Sequence, residues 1–238
     1  MHIPLEQETG ENSRLYYNGR RLRRFSPLTP RIVSITETFE PERKRVEAFI
    51  ASVFSTNYKA VIKQHYPTLM SIRDGGDTIL GALGFRRADK DRLFLEQYLD
   101  APVEVEMSRV LGAEIRRDGI IEIGNLASRG AGAAIFLIPA LMAYLKQQGF
   151  RHVAFTATAD LYDYFRAIGV GPVIVAAADQ KQLPDGGASW GSYYDTSPHV
   201  IAGDVRFAAD RLRRFLGVRL LRADMAVFSR LHHDIGSG

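Results

Sequence analysis

The chain has 238 residues, of which 46% are hydrophobic and 24% are charged, and it contains no cysteine. This composition is typical of a globular protein with one sizeable core, and it excludes disulfides, thiolate metal sites and a cysteine nucleophile. No apolar stretch approaches the roughly 20 residues that a membrane-spanning helix needs, and the N-terminus lacks the basic and apolar regions of a secretory signal. We therefore expect a cytoplasmic protein.

The formal net charge is +4, and the excess of arginine lies in two segments near the ends of the chain. The first segment runs from Arg14 to Arg24, and the second begins at Arg206. Such segments predict phosphate-rich partners, namely CoA, an acidic carrier protein or an anionic membrane surface. The alternative is a set of solvated arginines that keep the protein soluble. No recognised reader motif is present, so we predict no nucleic-acid partner.

Composition and turn signals divide the chain into three parts. Residues 1–30 are predicted to form a basic lead-in of loop with at most a short strand, residues 31–205 one α/β domain, and residues 206–238 a basic amphipathic helix with a frayed tail. Alternation and helical periodicity then predict the elements of the domain. In chain order these are a strand over 31–37, a helix over 42–58, a hairpin over 69–85, short helices over 93–99 and 102–111, a strand over 120–127, a helix over 132–149, a strand over 152–157, a helix over 160–168, a strand over 173–178 and an ordered loop over 186–198.

A glycine-rich turn, Arg129-Gly-Ala-Gly-Ala-Ala134, joins the strand over 120–127 to the next helix. Together with the strand over 152–157, these elements make one right-handed strand-helix-strand crossover. The first backbone N–H groups of a helix have no partner within the helix, and they lie at the positive end of its dipole. The turn is therefore predicted to cradle a phosphate or diphosphate, the alternative being a tight connection without a ligand.

The turn and the strand before it resemble motifs of the GCN5-related N-acetyltransferases. The spacing Arg129-x-x-Gly132-x-Ala134 is similar to the pyrophosphate signature of that family. The stretch Ile121-Glu-Ile-Gly-Asn-Leu-Ala127 resembles its fourth strand, whose backbone pairs with the amides of pantetheine. The resemblance implies an α/β fold with a mixed central sheet flanked by helices.

A third stretch, on the helix after the strand over 152–157, also resembles that family. Thr158 stands where the family has Asn, and Phe165 stands where it has Tyr. That Tyr is the usual general acid of the family, so the substitution leaves the role to another residue. Tyr162 and Tyr164 lie on the same predicted helix, and two residues at this spacing cannot both face the core. We predict that one of them reaches the cleft or the surface, and either could protonate the departing thiolate.

A longer resemblance, over about 39–205, is to the thermostable hemolysin family. The segments that carry it lie over 93–104, 121–127, 155–169 and 183–195. Acyl-homoserine-lactone synthases share the same fold, and Glu122-x-x-Asn125 is similar to their core, although they usually have Arg at the position of Asn125. The family name records a haemolytic phenotype, and the resemblance implies an acyltransferase-like fold.

The resemblance implies acyl-CoA or an acyl-carrier protein as co-substrate, and it implies no metal. His232 and His233 are adjacent near the C-terminus and lack the arrangement of a metal site. The residues expected to contact the donor belong to the fourth strand, the glycine-rich turn and the third stretch. They are Gly124, Leu126, Ala127, Arg129, Gly130, Ala131, Gly132, Ala133, Ala134, Thr158 and Phe165.

Acyl transfer to an amine requires a base for the incoming ammonium and a group that polarises the thioester carbonyl. Glu122 is predicted to be the base, and the alternative is that it faces solvent between two isoleucines. Asn125 is predicted to orient a substrate or to tie the strand to a loop. A further set of aromatic residues is predicted to form a lid or acyl pocket, or else to pack locally. This set consists of Trp190, Tyr193 and Tyr194.

These expectations lead to one leading function and two alternatives. The leading hypothesis is an N-acyltransferase-like enzyme that moves an acyl group from CoA or a carrier protein to a small amine such as an amino acid. The first alternative is a haemolytic, membrane-perturbing protein, in which the basic helix over 208–221 makes a peripheral contact with anionic lipid. The second is an acyl-CoA-binding protein without catalysis, because a fold alone does not fix a reaction.

Overall fold

The computed structural model describes residues 1–7, 13–37, 41–130 and 132–222. Their strands form one ten-stranded mixed sheet. In chain order the strands are β1 (His2–Gln7), β2 (Ser13–Tyr16), β3 (Ile32–Thr36), β4 (Thr68–Arg73), β5 (Ile79–Arg87), β6 (Ile120–Ser128), β7 (His152–Ala157), β8 (Val173–Ala177), β9 (His199–Asp204) and β10 (Arg219–Arg222). Their spatial order is β10-β2-β1-β3-β4-β5-β6-β7-β9-β8. The pairs β1–β3 and β6–β7 are parallel and the other pairs antiparallel, so the sheet is mixed as predicted.

Helices cover both faces of the sheet. They are α1 (Gly19–Leu22), α2 (Pro41–Tyr58), α3 (Val103–Leu111), α4 (Ala134–Gln147), α5 (Ala159–Ala167) and α6 (Val205–Leu216). Successive residues of a strand face opposite sides of the sheet and so belong to different cores. Met70 and Leu83 pack with α4 and α6 on one side, while Leu69 and Ala82 pack with α2 on the other. Five short 3-10 helices complete the described part, at Phe94–Tyr98, Arg117–Gly119, Gln180–Gln182, Ala188–Trp190 and Tyr193–Thr196.

The crossover predicted around the glycine-rich turn is present as β6, α4 and β7. α4 is predominantly apolar because it lies in the core, and its buried residues include Pro139. A proline inside a helix removes one backbone hydrogen bond. The assigned helix nevertheless runs unbroken from Ala134 to Gln147, so Pro139 does not end it.

The two end segments of the chain belong to the same sheet as the middle. The lead-in, predicted as loop with at most a short strand, contains two strands, β1 and β2, and the helix α1, and the chain after α6 returns as β10 beside β2. The signal in β1 is the alternation of buried Ile3 and Leu5 with exposed neighbours. Pro4 and the polar composition around it obscure this alternation in the sequence. The tail over 223–238, including His232 and His233, lies outside the described residues.

α6 uses its apolar face within the protein. Val205, Ala208, Leu212 and Leu216 are buried, and the helix packs against α4. The sequence predicts that this helix offers a contact with anionic lipid, but the apolar stripe that would enter a membrane is occupied by the core. Within the described ranges, no helix combines the length and the apolar character needed to cross a bilayer.

Candidate active site

The candidate site begins where two parallel strands separate. β6 and β7 pair only from Ile120 opposite His152 to Ile123 opposite Phe155. Beyond this point β6 continues with β5 on one side, and β7 continues with β9 on the other. A cleft of about 450 Å³ opens between them. The splayed edge of β6 therefore presents backbone groups that no neighbouring strand uses, as the resemblance implies for the fourth strand.

Asn125 lies at a bulge in β6 and at the centre of the site. The register of β5 and β6 shifts between Ala82 and Gly84, and Asn125 has a left-handed backbone with a φ of 52°. Asn is among the few residues that adopt this conformation at low cost. Its side chain is only 9% exposed, it lines the cleft, and its amide nitrogen has no hydrogen-bond partner. A buried donor without a partner is costly, which is typical of a group that meets a ligand.

The start of α4 opens into the same cleft. Ser128, Gly130 and Ala134 line it, and the N-cap position is Ala133, which offers no side-chain acceptor to the first N–H groups. Ala131 lies outside the described residues. Gly132 has a φ of 108°, and a Cβ built there would lie 2.6 Å from the Cβ of Ser26. Only glycine therefore fits both the backbone and the close approach of the N-terminal segment.

Glu122 is neither solvent-facing nor part of the cleft wall. It is 1% exposed, and its carboxylate accepts hydrogen bonds from the N–H groups of Phe94 (3.1 Å) and Leu95 (2.8 Å). The Nε of Arg86 lies 3.0 Å from the same carboxylate. Burial raises the pKa of Glu122, while the charge of Arg86 and the two N–H groups act in the opposite direction. The alternation with two isoleucines does not expose this side chain, because both faces of β6 are covered.

Tyr66 connects Glu122 to the cleft. Its hydroxyl lies against Gly124 in the cleft wall and forms a hydrogen bond with Glu122. A Cβ at Gly84 would come within 2.6 Å of the Cβ of Tyr66, so two glycines on adjacent strands make room for the ring. The guanidinium of Arg86 lies 4.4 Å from the ring centroid. Burial and then the charge of Glu122 raise the pKa of Tyr66 well above its usual range, so the phenol stays protonated.

Aromatic side chains close one end of the cleft. The loop after β8 docks on the end of α2, where the N–H of Ser192 donates to the carbonyl oxygen of Tyr58 at 2.8 Å. The hydroxyls of Tyr98 and Tyr194 are 2.5 Å apart, and burial raises the pKa of Tyr194 to about 12. The rings that contact one another in this wall are Phe54, Tyr58, Phe94, Tyr98, Trp190, Tyr193 and Tyr194. The structure thus places the predicted residues Trp190, Tyr193 and Tyr194 in the cleft.

A second cavity of about 260 Å³ adjoins the first. Its wall contains the charged side chains of Lys63, Arg86 and Asp185. Lys63 Nζ and Asp185 Oδ2 are 3.3 Å apart, at the exposed side of the cavity. The two cavities share four wall residues, Tyr66, Phe94, Asn125 and Trp190. The two cavities are therefore adjacent, and Asn125 borders both.

Other predicted site residues divide between the cleft and the core. Gly124, Leu126, Gly130, Ala134 and Thr158 line the cleft. Ala127, Ala133 and Phe165 do not, because their side chains are buried in the hydrophobic cores. Arg129 is exposed, and its guanidinium lies 5.8 Å from the ring centroid of Phe49 rather than in the cleft.

Neither Tyr162 nor Tyr164 is among the described residues that line the cleft. Tyr162 lies beside the guanidinium of Arg166 at 5.8 Å, and Tyr164 packs against Phe165 at 5.8 Å between ring centroids. Burial raises the pKa of Tyr164. Thr158, the N-cap of α5, and Leu161 line the cleft, whereas Tyr162 and Tyr164 pack against the hydrophobic core. The geometry therefore gives no support to the prediction that one of them protonates the thiolate.

Several site residues had no signal in the sequence. Tyr66 lies in a loop without a motif, and it is fixed by Arg43, whose guanidinium donates to the carbonyl oxygens of Tyr66 and Pro67 at 2.7 Å each. Arg86 and Lys63 look like ordinary surface cations in a strand end and a loop. Their role depends on contacts between distant segments, which a local pattern does not encode. Among the described residues, no group of three or more His, Asp or Glu is placed to hold a metal ion.

The mixed sheet, the splayed parallel strands and the crossover helix define the fold of N-acyltransferases and acyl-homoserine-lactone synthases. FeeM, an N-acyl amino acid synthase from uncultured soil microbes, is 14% identical over 76% of this chain and 94% of FeeM, with a TM-score of 0.51. BjaI, a CoA-dependent acyl-homoserine lactone synthase solved with SAM and isopentyl-CoA, is 12% identical over 76% of this chain and 87% of BjaI, with a TM-score of 0.53. LasI, an acyl-homoserine-lactone synthase, is 13% identical over 73% of this chain and 89% of LasI, with a TM-score of 0.50.

The chain belongs to the family described as Thermostable hemolysin, whose sequence profile matches residues 36–209. This confirms the resemblance read from the segments over 93–104, 121–127, 155–169 and 183–195. The predicted fold class is confirmed as well. Comparison with curated protein sequences gives no match.

Proposed function

We propose that this protein is an N-acyltransferase that moves an acyl group from a thioester donor, acyl-CoA or an acyl-carrier protein, to a small amine. One observation carries the proposal: the buried, unpartnered amide nitrogen of Asn125 lies where two cavities meet beside a splayed strand. Two-substrate transfer requires such a junction, because the nucleophile must reach the carbonyl carbon. The neighbours described as an N-acyl amino acid synthase and as a CoA-dependent acyl-homoserine lactone synthase share this fold and support the reaction class.

The donor occupies the larger cleft. The free edge of β6 after Ile123 pairs with the amides of the pantetheine arm, and the first N–H groups of α4 with Gly130 hold the phosphates. The acyl group lies against the aromatic wall that contains Trp190 and Tyr194. The cleft is lined mainly by apolar and aromatic side chains, which is typical of a site that binds an acyl chain.

The acceptor occupies the smaller cavity. Its volume of about 260 Å³ is below the range of roughly 300 to 1,000 Å³ that is typical of drug-sized ligands, so it suits a molecule of amino-acid size. An acceptor carboxylate would share Arg86 with Glu122 and Lys63 with Asp185, and Asn125 lies at the end where the amine meets the thioester. A carboxylate-bearing amine is therefore the favoured acceptor.

The chemistry follows from the contacts around Tyr66. The acceptor ammonium gives one proton to the Tyr66 hydroxyl while Tyr66 passes its own proton to Glu122, whose raised pKa suits it to receive one. The neutral amine attacks the carbonyl carbon, and the amide N–H of Asn125 donates to the oxygen as it gains negative charge. The carbon–nitrogen bond forms and the carbon–sulfur bond breaks. The second nitrogen proton passes to the leaving sulfur, and Glu122 returns its proton to solvent.

In this scheme Glu122 is a positioning residue that acts through Tyr66. Replacing Tyr66 with Phe keeps the ring and removes the hydroxyl, so kcat for amide formation is expected to fall by about a hundredfold. The Kd of the donor and the thermal midpoint should change little, because the ring still fills the space over Gly124 and Gly84. Tyr58→Phe is the matched control, since Tyr58 also lines the cleft but has no contact with Glu122.

The direct test is incubation of the purified protein with acyl-CoA or acyl-carrier protein and a panel of amines. Amide products are measured by mass spectrometry, and thiol release is measured in parallel. Amide formation that requires Tyr66 and Asn125 supports the proposal. Tight donor binding without amide or thiol release from any combination would contradict it and would favour a binding protein of the same fold.

A further inference from the structure

The two basic segments of the chain form one surface. α1 and the turn after it pack against the C-terminal end of α6, where Arg21 Nη1 donates to the carbonyl oxygen of Arg214 at 2.6 Å. The rings of Phe25 and Phe215 are in contact, with 5.2 Å between their centroids. We call this region the arginine surface. It consists of the exposed residues Arg20, Arg21, Arg23, Arg24, Arg211 and Arg214, with Phe25 among them.

In the part of the chain that the structure describes, no ion pair neutralises the arginine surface. Throughout residues 13–37 and 132–222, none of its six arginines forms an ion pair with a carboxylate. The nearest acid on α6, Asp210, is bonded to Lys146 at 2.8 Å and lies 3.6 Å from Arg213. Asp204 caps the start of α6 by accepting from the N–H of Phe207. The surface therefore attracts an acidic partner.

The arginine surface borders the entrance of the donor cleft. Ser26 packs directly on Gly132, in the turn that begins α4. Consecutive Cα atoms are about 3.8 Å apart, so the Cα of Arg24 lies within about 8 Å of that contact. Phe25, between them, is 45% exposed although it is large and apolar. An exposed aromatic ring among unpaired arginines is typical of a protein-binding surface rather than of a site for phosphate alone.

We infer that the arginine surface docks an acidic carrier protein, which presents the acyl thioester on its prosthetic arm to the cleft. This inference rests on the proposed transfer reaction, and it chooses between the two donors. The arm of a carrier protein enters at the start of α4, so the protein that bears it must lie over the entrance, where the arginines are. The six arginines lie outside residues 36–209, the span that the family profile matches.

The test compares the two donors in one charge-reversed variant. Arg20, Arg23 and Arg24 are changed together to Glu, while Arg21 is kept because it bonds to the backbone of α6. With acyl-carrier protein, kcat/KM is expected to fall at least about tenfold and to lose its dependence on salt. With acyl-CoA it should stay within about twofold, because diphosphate binding relies on the start of α4.

The matched control reverses three exposed cations away from this surface, Lys44, Lys90 and Arg92, and it should leave both donors unaffected. Direct binding of the carrier protein is measured by calorimetry for the same three proteins, so docking is tested even if no amide forms. Absence of amide with both donors would then contradict the proposed reaction, whereas binding that ignores the charge reversal would contradict the docking surface.

Two further outcomes would overturn the inference. An equal loss with acyl-CoA and with acyl-carrier protein would assign the arginines to the nucleotide of CoA. Binding of the unchanged protein to phosphatidylglycerol vesicles, lost on charge reversal while carrier-protein binding is retained, would assign the surface to anionic lipid. A tenfold loss confined to the carrier protein supports the inference.

Discussion

Asn125 combines two properties that rarely occur together, a left-handed backbone and a buried amide nitrogen without a partner. Asn125→Gly separates them, because glycine adopts this backbone freely and has no amide group. We expect the free energy of unfolding to change by less than about 1 kcal/mol. In contrast, kcat should fall by about a hundred- to a thousandfold, the loss typical of one missing donor to a developing oxyanion.

Ser197→Gly is the matched control for this substitution, since Ser197 has a φ of 50° and does not line the cleft. Unfolding in urea and steady-state amide formation are measured for both variants. If Asn125→Gly unfolds at the same urea concentration as the unchanged protein and retains full kcat, Asn125 has no part in the reaction.

Glu122 makes stability depend on pH in a direction opposite to that of most carboxylates. Its pKa in the folded protein is raised above the usual 4.5, mainly by burial. The folded state therefore holds the proton more tightly, and the stabilising contribution is complete below pH 4.5 and is lost as the pH rises through the folded pKa. In Glu122→Gln this part of the pH dependence should disappear, so unfolding free energy should fall less steeply above about pH 4.5.

The free energy of unfolding in urea is measured at several pH values, and the variants are compared by its slope against pH. The slope is used because losing the Arg86 ion pair lowers the stability of the variant by a constant amount. Glu96→Gln is the control. Burial alone would raise the pKa of Glu96, but hydrogen bonds from Arg117 and from the N–H of Val103 lower it overall. The stabilising contribution of Glu96 is therefore lost only as the pH falls below 4.5. Removing Glu96 should not change the slope above pH 4.5. Identical slopes for Glu122→Gln and the unchanged protein would contradict this account.

At the scale of elements, the entrance to α4 depends on a glycine that serves two purposes. Gly132 has a φ of 108°, and its missing Cβ leaves room for Ser26. Gly132→Ala should destabilise the protein by about 1 to 3 kcal/mol, from backbone strain and from displacement of the N-terminal segment. Ser26→Gly in the same chain should recover the steric part only, and thermal unfolding of the single and double variants measures the coupling. Strictly additive effects would show that the two residues are not in contact.

Elements with strong local signals were predictable from the sequence. α5 was predicted from its amphipathic pattern and from Gly169 after it, and in the structure Gly169 has a φ of 71° and Thr158 caps the helix by accepting from the N–H of Leu161. α4 and β6 were predicted from an apolar run joined to a glycine-rich turn. β9 was missed because it directly precedes α6, and the polar residues at its ends resemble the loop before it. Its middle, Val200 to Ala202, is fully buried between two strands.

At the scale of the whole molecule, the site is assembled from segments far apart in the chain. The cleft takes Phe54 and Tyr58 from α2, Tyr66 from a loop and Trp190 from another loop. The sequence identified β6 and the turn, because their chemistry is local to one crossover. Nothing in the spacing of Glu122 indicates that N–H groups of Phe94 and Leu95 cover its carboxylate. The proposed reaction class could therefore be inferred from the sequence, whereas the proposed proton path could not, because its contacts form only in the folded chain.

The second cavity leads to a prediction about acceptor choice at the same scale, since its walls come from five separate segments of the chain: residues 62–66, Arg86, residues 94–97, Asn125 and residues 183–190. Lys63 is expected to attract the acceptor carboxylate, so Lys63→Met should raise the acceptor KM about three- to tenfold, within the range of an exposed charge pair. The KM of the donor and kcat at saturating acceptor should stay unchanged, because Lys63 does not line the donor cleft. Lys44→Met removes an exposed lysine from α2 and serves as the control.

The decisive comparison for Lys63 uses each amino acid together with the amine that lacks its carboxylate. The unchanged protein should prefer the amino acid, and Lys63→Met should reduce the preference by raising KM for the amino acid only. If the unchanged protein forms amide equally well with the amino acid and with the amine, no cation in the cavity binds the acceptor carboxylate. The smaller cavity would then bind amines through Asn125 and its aromatic walls alone.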